Sequence, residues 1–214
     1  MIPKLPNARN NNLIIIQFLD EGEPKTGRVL ANNVKQSSPH IGNVNYFESS
    51  VPDEILSFIK DEIPNLISNE EEIVLYIDTH GFSSDNGIGH KNAFISWEKL
   101  FEYIREVFKN QSSLPIIILS ACKGFSFNKL LGDEKNPICS KLIASDGLLP
   151  NGTVMGAFAD YFYKYGFKFG SEEIDEVNKK IEKINKEQKS PKFSPLIITN
   201  YLTKDILDDT CFSS

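Results

Sequence analysis

A chain of 214 residues with 40% hydrophobic and 24% charged residues has the composition of a globular protein, which excludes disordered and fibrous classes. We expect a single domain spanning residues 1–214. The net charge of −6 provides no basic surface for nucleic acid or an anionic bilayer, so we expect neither as a partner. No apolar run reaches the length of a membrane span, and the first residues lack the order of a signal peptide. We therefore expect a cytoplasmic protein.

Five short apolar runs predict strands, and four amphipathic segments predict helices. The strands are expected at 13–19, 73–77, 116–119, 142–144 and 196–198, and the helices at 55–67, 97–108, 153–165 and 171–187. The strand sequences are apolar nearly throughout, as in a parallel sheet buried on both faces. Their alternation with helices predicts an α/β fold, a three-layer sandwich around a mostly parallel central sheet. Long polar loops are expected at 20–50, 82–92 and 124–137.

Residues whose side chains are suited to catalysis or ligand binding follow three of the predicted strands. The second strand ends in Asp-Thr-His-Gly at 78–81, the third in Ser-Ala-Cys-Lys-Gly at 120–124, and the fourth in Ser-Asp-Gly at 145–147. Ligands of open α/β sheets bind beyond the carboxyl ends of the strands. His80 and Cys122 are therefore expected at one edge of one sheet.

A thiol and an imidazole within hydrogen-bond distance of each other are the smallest set of side chains that can catalyse acyl transfer. The imidazole serves as a base for the thiol and later protonates a leaving amine. Gly81, directly after the histidine, lets the backbone approach a substrate carbonyl, and its N–H could form an oxyanion hole with that of Cys122. The alternative for Cys122 is a small core residue, and Asp78 either orients the imidazole or caps the strand end. The other thiols, Cys139 and Cys211, are predicted to be structural and idle.

These ordered motifs resemble the caspase-type cysteine peptidases of clan CD, which include caspases, metacaspases, separase and bacterial CHAT-type proteases. The resemblance spans residues 13–165 and rests on four segments. They are IVLYIDTHG, AFISWEKLFEYI, IIILSACKG and LIASDGLLPNG. The bacterial members include effectors of antiviral defence that cleave a partner such as a gasdermin pore-former, so the resemblance implies a protease of that kind.

The resemblance implies a role for each matching residue. Cys122 would be the nucleophile and His80 the general acid and base, with the amides of Gly81 and Cys122 as the oxyanion hole. Ser120 would line the first specificity pocket, and Asp146 would bind a basic side chain there. No metal or other cofactor is needed. The partners implied are a protein substrate and a separate regulatory protein, since no recruitment domain precedes the first strand.

The sequence also departs from caspases. Position 123 is Lys rather than Arg, position 120 is Ser rather than Gln, and the residue that follows Gly152, where a caspase has a basic residue that contacts the peptide backbone, is not basic. Specificity for aspartate is therefore not expected. Two other functions stay open: a catalytically silent scaffold with this fold that binds a partner, and a nucleotide-binding α/β module. No glycine-rich phosphate loop follows any predicted strand, which weighs against the second. Phe125 and Phe127 are expected in a mobile loop that closes the cleft.

Overall fold

The computed structural model describes residues 11–67, 72–82, 86–91, 93–131, 137–187 and 192–201. The strands are β1 (Asn11–Phe18), β2 (Asn43–Glu48), β3 (Glu72–Thr79), β4 (Gly87–His90), β5 (Ala93–Ser96), β6 (Ile116–Ser120), β7 (Lys141–Ser145) and β8 (Leu196–Asn200). The helices are α1 (Thr26–Ser37), α2 (Pro52–Ser57), α3 (Ile63–Leu66), α4 (Trp97–Phe108), α5 (Asn128–Leu131), α6 (Asn151–Tyr165) and α7 (Ser171–Glu187). A π-helical turn, Phe58–Glu62, joins α2 to α3, and a 3₁₀ turn, Gly124–Phe127, precedes α5.

Six strands form the central sheet in the order β2-β1-β3-β6-β7-β8. All neighbouring pairs are parallel except β7 and β8, which run antiparallel. β4 and β5 form a separate antiparallel hairpin between β3 and α4. The four inner strands β1, β3, β6 and β7 are buried along nearly their whole length, which is why their sequences do not alternate with polar residues.

Successive side chains of each inner strand point to opposite faces of the sheet and fill two separate cores. On one face Leu75 and Leu119 pack against α2, the π-helical turn and α4. On the other face Tyr76 and Ile118 pack against α1, α6 and α7. Two helical layers thus enclose the sheet. The predicted α/β sandwich with a mostly parallel sheet is confirmed.

Helical periodicity located the long helices well. α4 and α7 begin and end where the sequence predicts. Ser96 caps the start of α4, because its side chain accepts a hydrogen bond from the Lys99 amide at 3.2 Å. α7 buries Ile174, Val177 and Ile181. These apolar residues form one narrow row on a helix that is otherwise mostly charged, so α7 packs on the protein along a single side. None of the described helices has the length and apolar character to cross a membrane.

The segment 20–50, predicted to be one long loop, contains α1 and β2. α1 buries only Gly27, Leu30, Ala31 and Val34, and β2 is an edge strand without a fully buried residue. Both elements therefore have weak apolar patterns, because each contacts the protein along one narrow side.

The prediction of a mobile loop carrying Phe127 is also wrong. Phe127 has no exposed surface, and its ring centroid lies 5.5 Å from that of Trp97. Phe125 is partly buried against the same core. The 3₁₀ turn and α5 fix this segment, because its aromatic side chains complete the core beside α4.

Candidate active site

The register of β3 and β6 brings the two predicted catalytic residues to neighbouring positions. Asp78 lies opposite Ser120 in the parallel ladder, and His80 and Cys122 each follow two residues later. Both therefore emerge at the carboxyl end of the sheet, on adjacent strands in its centre. The imidazole is 44% exposed and the Cys122 residue is partly exposed, so both are accessible from solvent.

Gly81 packs directly against the backbone of Cys122. A Cβ atom added to Gly81 would lie 1.6 Å from the Cys122 carbonyl oxygen and 2.6 Å from its carbonyl carbon. No side chain fits in that space, so glycine is required for the two strand ends to approach this closely. The segment containing His80 and the segment containing Cys122 are therefore in direct contact.

The pairing of Gly81 with β4 leaves the Gly81 amide outside the hydrogen bonds between the two segments. Gly81 and Ile88 form an antiparallel bridge. The flanking hydrogen bonds run from Phe82 N–H to Gly87 O, at 3.0 Å, and from Gly89 N–H to His80 O, at 2.9 Å. This is the pattern of a non-hydrogen-bonded pair, in which the N–H of the central residue points away from the partner strand. The Gly81 amide is thus left out of the hairpin, as an oxyanion donor must be.

A tight turn presents the thiol of Cys122. The next residue, Lys123, has a left-handed backbone with φ of 57°, which a non-glycine residue adopts only where surrounding structure enforces it. The Lys123 amide donates to the Gly147 carbonyl at 2.7 Å. The Leu149 amide donates to the Cys122 sulfur at 3.4 Å. The segment after β7 therefore fixes both the turn and the thiol.

The imidazole of His80 has a carboxylate partner that sequence reasoning did not identify. His80 Nε2 lies 2.8 Å from Oε1 of Glu23, 57 residues earlier in the chain. Asp78, the residue considered for this role, instead accepts a hydrogen bond from the Thr26 hydroxyl at the start of α1. No motif marks Glu23, because it lies in a polar segment whose position depends on the undetected helix α1.

Polar side chains are buried beneath the site, on the face of the sheet that packs against α1. Asp78 and Ser120 are each 1% exposed, and Tyr76 is fully buried on the same face. Burial raises the pKa of the Asp78 carboxyl to about 6. The hydroxyls of Tyr76 and Ser120 are buried next to each other. Ser120 is therefore below the surface on which a substrate would first bind.

The other predicted binding residue, Asp146, is exposed, whereas Ser120 is buried. It follows β7 and is exposed to solvent, in the turn whose Gly147 carbonyl binds the Lys123 amide. Asp146 and Ser120 thus lie at the ends of neighbouring strands, but at different depths. Their assignment to a specificity pocket stays a prediction.

A cleft of about 530 Å³ opens beside the imidazole. The residues that line it include Asp20, Glu23, His80, His90 and Lys91. His90 is held by its Nε2, 2.9 Å from the Ser50 carbonyl. A peptide bound across His80 would have space here for the part of the chain on that side. Within the described ranges, no group of three or more His, Cys, Asp and Glu side chains is arranged to hold a metal ion.

Comparisons with known proteins define the fold. No protein-family model matches the sequence, and no curated protein matches it. Among solved structures, the chain is similar to caspase-1 from Spodoptera frugiperda, with a TM-score of 0.61 and 14% sequence identity, covering 91% of this chain and 87% of that chain. The protein thus has a caspase-like α/β fold.

Proposed function

We propose that this protein is a cysteine endopeptidase in which Cys122 is the nucleophile and His80 the general acid and base. One observation carries the proposal. The register of β3 and β6 places the two residues on adjacent strand ends, with Gly81 packed against the backbone of Cys122. The caspase-like fold supports it, because the site lies at the edge of the sheet where such folds bind ligands.

In the first half of the reaction, the thiol of Cys122 gives its proton to His80 and its sulfur attacks the scissile carbonyl carbon. The carbon–sulfur bond forms, and the carbonyl oxygen becomes an oxyanion that accepts hydrogen bonds from the amides of Gly81 and Cys122. His80 then donates its proton to the leaving nitrogen. The carbon–nitrogen bond breaks, the amine product departs, and a thioester remains.

In the second half, His80 removes a proton from water, whose oxygen attacks the thioester carbon. The carbon–sulfur bond breaks, the sulfur recovers its proton, and a carboxylic acid product is released. Every step uses only groups of this chain and water. The proposed enzyme therefore needs no metal or other cofactor.

The test is cleavage of a peptide library by the wild-type protein and by Cys122→Ala. The substitution removes one sulfur atom at the sheet edge, so we expect a native circular dichroism spectrum and a loss of activity of about 10³-fold or more. Cleavage by Cys122→Ala at the wild-type rate would contradict the mechanism. The assay is repeated with candidate partner proteins, because the resemblance to caspase-type peptidases also implies a separate regulatory protein.

A catalytically silent scaffold is the competing function. In a scaffold, Cys122 would have no need of a base and would react with a thiol reagent independently of His80. An iodoacetamide labelling rate of Cys122 that does not change in His80→Ala, together with no cleavage of the library under any condition, would favour the scaffold.

We also propose the biological role that the resemblance implies, an effector protease of antiviral defence that activates a partner such as a gasdermin. Co-expression of the protease with a candidate gasdermin tests this role. Wild type, and not Cys122→Ala, should produce one defined cleavage product and arrest growth. An intact partner beside a protease that cleaves peptides would remove the gasdermin from the proposal and leave the endopeptidase in place.

A further inference from the structure

Resting on the proposed function, we infer that Glu23 is a positioning residue of the site, which fixes the tautomer and orientation of the His80 ring. His80 Nε2 lies 2.8 Å from Glu23 Oε1. An ionised carboxylate only accepts hydrogen bonds, so Nε2 must be the donor. In the neutral ring the proton therefore sits on Nε2, and Nδ1 is the nitrogen that can take the proton of Cys122.

The carboxylate of Glu23 is itself held in place by a reciprocal pair of hydrogen bonds. The Asp20 amide donates to Glu23 Oε2 at 3.0 Å, and the Glu23 amide donates to the Asp20 carbonyl at 3.0 Å. The two carboxylate oxygens of Glu23 thus accept different hydrogen bonds. Oε2 accepts the one that closes the turn after β1, and Oε1 accepts the one from the imidazole. The acceptor of the His80 ring is therefore oriented before any substrate binds.

The segment after this turn is anchored to the sheet beneath the site. The Thr26 hydroxyl donates to Asp78, two residues before His80 in β3, and the Gly27 amide donates to the buried Gln17 side chain at 2.8 Å. The position of Glu23 relative to His80 is therefore set at both ends, by the Asp20 turn and by the start of α1. Asp78 takes part in this anchor, and the carboxylate within hydrogen-bond distance of the His80 ring is that of Glu23.

The exposure of the Glu23–His80 pair limits its contribution to the free energy of unfolding. The Glu23 side chain is 34% exposed and that of His80 is 44% exposed, and ion pairs in such positions add little to folding stability. Its effect is therefore expected in catalysis. Loss of the buried acid of a Ser-His-Asp triad reduces turnover by about 10⁴-fold. For this partly solvated pair we expect a smaller loss of about 10- to 100-fold, in kcat rather than in KM.

The first experiment reads the tautomer of His80 directly. The chain has three histidines, so His40→Asn and His90→Asn assign the ¹⁵N resonances of the three rings. We expect the wild-type His80 ring to show a protonated Nε2 and an unprotonated Nδ1 in its neutral form. Glu23→Ala should give a mixture of the two tautomers. The matched control is Glu21→Ala, which removes the same charge from an exposed residue of the same turn, and its spectrum should equal that of wild type.

The second experiment measures the rate at which iodoacetamide modifies Cys122, in a Cys211→Ser background. We expect large losses of rate in His80→Ala and losses of about 10- to 100-fold in Glu23→Ala, with partial recovery in Glu23→Asp, which restores the carboxylate. Glu21→Ala should react like wild type. Glu23→Gln keeps the shape of the side chain and covers the case in which Glu23→Ala does not fold.

The outcomes separate this inference from the proposed function. A Cys122 rate that falls in His80→Ala but is unchanged in every Glu23 variant, with an unchanged tautomer, would overturn the role of Glu23 and leave the Cys-His pair intact. A rate that does not depend on His80 would overturn the proposed function. The tautomer measurement then still decides whether Glu23 controls the ring.

Discussion

Gly81 and Cys122 approach so closely that a Cβ atom on Gly81 would lie 1.6 Å from the Cys122 carbonyl oxygen. This contact joins the ends of β3 and β6 in the centre of the sheet. It also brings together the two amides that the proposed mechanism assigns to the oxyanion hole. The contact therefore links the packing of the sheet edge to the chemistry of the site.

Gly81→Ala should destabilise the protein and abolish activity. The added methyl group forces the two strand ends apart, and overpacking of this kind costs about 1–3 kcal/mol or more. Thermal unfolding and cleavage assays measure the two effects. The control is Gly156→Ala in α6, where a Cβ atom meets nothing within 4 Å and alanine should stabilise the helix by up to about 1 kcal/mol. Wild-type stability in Gly81→Ala would show that the contact is not as tight as described.

Ionisation of the Asp78 carboxyl should lower the free energy of unfolding as the pH rises. Burial raises its pKa from 3.8 to about 6, so between these values the folded protein holds a proton that the unfolded chain has released. The stabilisation is complete below pH 3.8, is lost as the pH rises to about 6, and corresponds to about 3 kcal/mol.

Asp78→Asn removes this titration and keeps an oxygen acceptor for Thr26. In urea unfolding at several pH values, the variant should match wild type at about pH 4 and be more stable at about pH 8, by up to about 3 kcal/mol. Because other groups titrate in both proteins, the difference between the two stability curves is the relevant quantity. A difference that is constant across this range would contradict a raised pKa of Asp78.

Cys122 and Cys139 should differ sharply in reactivity. Cys139 has no exposed surface, and burial raises the pKa of its thiol to about 12, so it forms almost no thiolate at neutral pH. Iodoacetamide at about pH 8 should therefore modify Cys122 in the native protein and Cys139 only in urea. Peptide mapping by mass spectrometry distinguishes these sites from Cys211, which lies outside the described residues. Equal native rates at Cys122 and Cys139 would contradict the buried position of Cys139.

Asp146→Ala tests the proposed specificity pocket. If Asp146 binds a basic side chain of the substrate, the variant should lose about 10-fold or more in kcat/KM on substrates with Arg or Lys before the cleaved bond. Substrates with other residues there should be affected less. Asp175, an exposed carboxylate on α7, provides the control for loss of one negative charge. Equal losses on every substrate class would remove Asp146 from the pocket.

The apolar strands and amphipathic helices determined the fold class without tertiary information. Runs such as 73–77 and 116–119 must be buried on both faces, and α4 and α7 have a 3.6-residue period over three or more turns. The placement of His80 and Cys122 followed from the same pattern, because both come directly after such strands. Burial of apolar surface dominates folding, so elements with strong apolar patterns are the ones that a sequence reveals.

Tertiary structure alone decided the contacts among polar residues. α1 and β2 have little apolar surface to mark them, and the position of Glu23 against His80 depends on that part of the fold. The sequence predicted that Gly81 lets the backbone approach a substrate carbonyl, whereas the packing shows that the backbone of Cys122 occupies the space where a side chain would lie. A hydrogen bond between polar residues far apart in sequence depends on their distance and direction in the folded protein, and periodicity specifies neither.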